Sequence, residues 1–75
     1  MSIPPFDTFL GTEFSLDDEG QVVASLELKP HHLNLRGVPH GGVITSLLDS
    51  ALGAAIDIRP DLRALRNRIR MSRAD

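Results

Sequence analysis

Residues 41–58 read GGVITSLLDSALGAAIDI, and their apolar positions recur with the period of a helix. Ile44, Leu47, Leu48, Ala51, Leu52, Ala55 and Ile56 fall three and four residues apart, which predicts about four helical turns from Gly41. Val43 and Ala54 extend the apolar surface nearly all the way round, a pattern that implies burial on most sides. Such a helix needs a sheet to wrap it.

The chain before this helix supplies part of one. Pro4-Pro5 can only open an element, and Phe6, Phe9 and Leu10 follow at the spacing of one helical face, so one or two turns are expected, stopped by Gly11. Residues 12–16 and 21–29 then flank Asp17-Asp18-Glu19-Gly20, a four-residue loop ending in the glycine that such turns favour. This predicts a hairpin. In its second arm Val22, Ala24, Leu26 and Leu28 share one face and Val23, Ser25 and Glu27 the other, the alternation of a strand with one buried side. Pro30 ends the arm, and residues 30–39 form an irregular but ordered connection containing His31, His32, Asn34, Arg36 and Gly37.

Beyond Ile58 the composition changes. Up to that point Lys29 and Arg36 oppose eight carboxylates, a balance of −6; after it six arginines oppose Asp61 and Asp75, a balance of +4. Leu62, Leu65 and Ile69 fall on one side and Arg63, Arg66, Arg70 and Arg73 on another, so residues 59–75 can be written as a basic amphipathic helix with Pro60 near its start and without a strand pattern. Nucleic-acid binding is disfavoured, because this segment has no aromatic residue to stack on a base. A solvated charged face is the plainer reading, with a basic helix on an anionic surface beside it.

At 75 residues the chain makes one small domain with a thin core. Its 41% hydrophobic and 24% charged content is that of a globular protein rather than a disordered or membrane one. Asp49 and Asp57 interrupt the longest apolar stretch, so no membrane span is expected. The first residues lack a secretory pattern. Without cysteine there are no disulfides, thiolate nucleophiles or cysteine-based zinc sites, and a reducing cytoplasm is the default.

The residues able to do chemistry cluster in 34–49. Gly41-Gly42 is either a permissive turn or the place where unpaired N–H groups at a helix N-terminus meet a ligand oxygen. Asp49 is an acid in the middle of an apolar run. Its two readings are an arginine partner across an interface, or a desolvated and therefore basic carboxylate suited to general-base or nucleophilic work. His40, just ahead of the helix, reads as a turn residue whose ring bonds the loop backbone. His31, His32 and His40 show no metal-binding spacing, so no metal is expected. Asp49 lies seven residues beyond Gly42, about 10 Å along the axis, so one helix cannot bring both to one carbonyl carbon. If they act together, a second chain supplies one of them.

The string GVPHGGVITSLLDSALGAAI, preceded by LKPHHLN and by FDTFLG near the start, resembles the signature of hot-dog-fold thioesterases of the PaaI-like type over roughly residues 4–57. The resemblance implies an α+β hot-dog fold of which residues 1–58 hold the first half: short helix, hairpin and long central helix. The later strands are missing, and residues 59–75 look like the wrong continuation, as a truncated or frameshifted reading frame would give. It implies hydrolysis of an acyl-CoA thioester. Asp49 would be the base or nucleophile, the Gly41 N–H would polarise the carbonyl, Asn34 would position the thioester or water, and His40 would shape the pocket, with Gly42 and Gly37 binding substrate. The site would be shared between protomers of a homodimer or homotetramer. No cofactor is implied, CoA being part of the substrate. The competing expectation is a non-enzymatic remnant or interaction module.

Overall fold

The computed structural model describes residues 3–58 and 66–73. Among them the order is α1 (Pro5–Leu10), β1 (Glu13–Leu16), β2 (Val22–Leu28), a short 3-10 turn (Pro30–His32), α2 (Gly41–Ile58) and β3 (Arg68–Arg73). This is a small α+β arrangement with a three-stranded mixed sheet in the order β1-β2-β3.

Proline at the first position of α1 loses no helical hydrogen bond there. Gly11 ends the helix at φ 95°, a left-handed conformation that a side chain would oppose, and its N–H bonds to the Asp7 carbonyl. The expected hairpin forms, antiparallel from Glu13 opposite Ser25 to Leu16 opposite Val22, each strand beginning one residue inside the expected arm. Its loop is built around Asp17, whose Oδ1 accepts the N–H groups of Glu19 and Gln21, each at 2.9 Å. The Gln21 N–H foremost, with that of Glu19 and the charges of Arg68 and Arg66, holds the Asp17 carboxyl below its ordinary 3.8, against an opposing contribution from burial.

The helix α2 begins and runs where the periodicity places it. Its packing differs from the expectation of burial on most sides. Val43, Leu47, Ala51, Ala54 and Ala55 are buried, seated on Val22, Ala24 and Leu26 with Phe14, Leu28, Ile69 and Met71 around them. Leu48, Leu52 and Ile56 are 51%, 37% and 49% exposed. Three strands cover one side of a helix that is apolar on two. By length and composition the helix is also apolar enough to cross a membrane, with a mean hydropathy of 1.3 over 18 residues, contrary to the expectation that Asp49 and Asp57 exclude it; one of its sides is packed on the sheet.

The expected basic helix after Ile58 is overturned in residues 68–73. Arg68–Arg73 is a strand, parallel to β2 from Val23 opposite Arg68 to Leu28 opposite Arg73. Ile69 and Met71 turn inward, half-buried against the core, while Arg68 and Arg70 are exposed. The alternation spans only Ile69-Arg70-Met71, between Arg68 and Ser72, too short to outweigh the helical spacing of the same residues; pairing with β2 decides it. Pro60, Leu62, Arg63 and Leu65, on which the helical reading also rested, lie outside the described residues. The apolar face expected on α1 is corrected as well: Leu10 is buried, Phe6 and Phe9 are exposed, and Asp7 takes the inward position instead. Val23, placed on the open face of β2, is buried too.

Candidate functional site

The loop that leads into α2 is organised by its own backbone and by Asn34. The Asn34 Oδ1 accepts the N–H of Arg36 at 2.8 Å and, more weakly, that of Val38 at 3.4 Å. Its carbonyl takes the Gly37 N–H at 3.0 Å. Gly37 stands at φ 75° with open space where a Cβ would be, so the turn, and not crowding, calls for glycine there. The Gly37 carbonyl in turn accepts Nη2 of Arg73 at 3.0 Å, tying the end of β3 to this loop.

His32, set aside as a ligand, is a buried structural residue. The Lys29 N–H donates to its Nδ1 at 2.8 Å, so the proton sits on Nε2, which donates to the Leu10 carbonyl at 2.7 Å. Both ring nitrogens are thereby committed to holding the loop against the end of α1. The His32 carbonyl accepts the His40 N–H at 2.9 Å, which fixes where α2 can start.

His40 is the residue that caps α2. Its Nδ1 accepts the Gly42 N–H at 3.0 Å, and its carbonyl accepts the N–H of Val43 at 2.9 Å and of Ile44 at 3.4 Å. A Cβ on Gly42 would come within 3.3 Å of that Nδ1, so the close approach of the His40 ring favours glycine at this position. Gly41 differs. A Cβ there meets nothing within 4 Å, and among the described residues its N–H is the one donor of the first turn without an acceptor. The helix therefore presents a single open N–H at its positive end, on a residue whose lack of side chain no neighbour in the chain explains.

Asp49 is exposed, contrary to the burial its apolar neighbours implied. It lies on the side of α2 away from the sheet's tightest contacts and lines a cavity of about 420 Å³ between α1 and α2. The helix contributes Asp49, Gly53 and Asp57, one stripe at four-residue spacing, with Ser50 and Ala54 beside it; Pro4, Phe6, Asp7 and Phe14 form the opposite wall. Gly53 sits mid-helix, where glycine costs about 0.5–1 kcal/mol relative to alanine, yet a Cβ on it meets nothing within 4 Å.

Sequence reasoning missed Asp7 and Ser50. Asp7 is only 4% exposed, and its Oδ1 accepts the Ser50 hydroxyl at 2.6 Å. The available signal was position: Asp7 precedes Leu10 by three residues and so shares its inward face. His40 and Asn34 line a different depression, an open basin of about 480 Å³ with Leu33, Leu35 and Arg36. One chain thus brings Asn34, Gly37, His40, Gly41 and Gly42 together at one end of α2 and leaves Asp49 apart, eight residues or about 12 Å from Gly41 along the axis. No group of three or more acidic or histidine side chains placed to hold a metal occurs among the described residues. Comparison with family models, with curated proteins and with solved structures gives no match for the chain.

Proposed function

We propose that the site assembled by α2 is that of a hot-dog-type thioesterase acting on acyl-CoA, formed between two copies of the chain. The observation that carries this reading is the pairing of an open Gly41 N–H with a solvent-facing Asp49 on the same helix, too far apart to meet within one chain. In a dimer the Gly41 N–H of one copy donates to the thioester carbonyl oxygen and stabilises the oxyanion as charge develops on it. Asp49 of the other copy takes a proton from water, the oxygen adds to the carbonyl carbon, and collapse breaks the C–S bond; the CoA thiolate leaves and is protonated. Direct attack by the Asp49 carboxylate reaches the same products through an anhydride that water then opens. His40 caps the helix and so holds the Gly41 N–H in place, and Asn34 shapes the loop beside it. CoA belongs to the substrate, no resident cofactor takes part, and the cytoplasm is the compartment this chemistry suits.

A second reading is favoured by the exposed Leu48, Leu52 and Ile56 together with Phe6 and Phe9: an interaction module that associates through this surface without turnover. The experiment that separates the two is acyl-CoA hydrolysis by the purified chain, followed by thiol release. The enzyme reading expects turnover that Asp49→Asn lowers by orders of magnitude with the melt unchanged. Hydrolysis indifferent to Asp49→Asn removes this residue from the mechanism, and association without hydrolysis leaves the interaction module.

A further inference from the structure

We infer that the cavity between α1 and α2 is the chamber for the acyl group and that Gly53 sets the size of group it admits, an inference that rests on the thioesterase reading. Gly53 occupies the middle of the longest helix, a place where glycine weakens the structure. Apart from its chain neighbours and the backbone of its own helical turns, no atom stands within 4 Å of where its Cβ would be, so packing against the rest of the chain gives no reason for the missing side chain. The reason lies in the cavity it lines.

Asp49, the proposed reacting carboxylate, stands one helical turn before Gly53 in the same wall, about 6 Å along the axis. A carbonyl carbon held at Asp49 sends its acyl group along this stripe, over Gly53. Phe6, Phe14, Pro4 and Ala54 supply apolar surface around that path, and the volume of about 420 Å³ is in the range of small-molecule sites. Asp7, Ser50 and Asp57 line the rest of the cavity, so an acyl group with an apolar body lies against the Phe6 and Phe14 wall. A side chain at 53 projects into the space the first carbons beyond the carbonyl must cross, and a short acyl group is affected less than a long one.

The test compares the wild-type chain with Gly53→Ala and Gly53→Leu, using acetyl-CoA and octanoyl-CoA as probes. Thermal melts come first, and both variants melt no lower than the wild type because the helix loses its glycine. Calorimetric titration then gives the octanoyl-to-acetyl ratio of association constants, which falls at least tenfold in Gly53→Leu and by a smaller factor in Gly53→Ala; kcat/KM for the two substrates follows the same order. An unchanged ratio overturns the inference, and so does a wild-type chain that binds neither probe. A wild-type chain that binds both and hydrolyses neither contradicts the hydrolysis reading alone, and the binding ratio still decides the role of Gly53.

Discussion

Ser50 of α2 donates its hydroxyl hydrogen to the buried Oδ1 of Asp7 of α1 across 2.6 Å, joining residues 43 positions apart in the chain. This bond fixes the short helix against the long one and so defines the width of the cavity that Asp49 lines. A six-residue helix has little stability of its own, and Leu10 is the one apolar side chain that anchors it in the core. The polar contact therefore acts with the His32 bond to the Leu10 carbonyl in keeping α1 in place.

Removing the donor leaves a buried carboxylate oxygen without its partner. Ser50→Ala is expected to destabilise the chain by about 1–3 kcal/mol, and Ser50→Thr, which keeps the hydroxyl, by less. Urea unfolding measures both; equal midpoints for the wild type and Ser50→Ala would show that the bond contributes nothing.

Asp17 makes stability depend on acid in a defined direction. Its folded carboxyl lies below the ordinary 3.8 because the Gln21 N–H, the Glu19 N–H and the nearby arginines favour the charged form. A depressed acid contributes stability that is fully present above its unfolded value and is lost as pH falls through the lower, folded value. Melting temperatures taken between about pH 5 and pH 2 should fall more steeply in the wild type than in Asp17→Asn. Parallel curves for the two would contradict the account of the loop.

The hairpin, its loop and the extent of α2 were legible in the sequence because each rests on local rules: period two in β2, period 3.6 in α2, and glycine at the turns. The positions of Asn34, His40, Gly41 and Gly42 at the start of α2 were legible for the same reason. The strand β3 was not. Ile69 satisfies a helical spacing with Leu65 and an alternating one with Met71, and only the partner strand β2 chooses between them. Nor was the fate of Asp49, since the periodicity shows that α2 is apolar on two sides but not that the three strands reach only one. Asp7 was hidden by the phenylalanines around it, whose size drew the inward face of α1 towards them.

The exposed Leu48, Leu52 and Ile56 lie along one line of α2, and a shared site requires that this side meet a second copy. The chain is expected to self-associate in sedimentation experiments at micromolar concentration. Burying a leucine contributes about 1.5 kcal/mol or more, so Leu48→Lys with Leu52→Lys should weaken association roughly a hundredfold. A wild-type chain that sediments as a monomer across the range refutes the shared site.

The most direct test of that site is complementation between two inactive chains. Gly41→Val blocks approach of the carbonyl to the backbone donor, and loss of such a donor costs about 3–4 kcal/mol of transition-state stabilisation; Asp49→Asn removes the reacting carboxylate. Each variant alone should be nearly inactive on acyl-CoA. Mixed, unfolded and refolded together, they form hybrids in which one site collects both substitutions and the other has neither. The mixture should therefore regain about a quarter of the wild-type activity, half of the dimers being hybrids with one intact site of two. A mixture no more active than its components contradicts a site built from Gly41 of one chain and Asp49 of another.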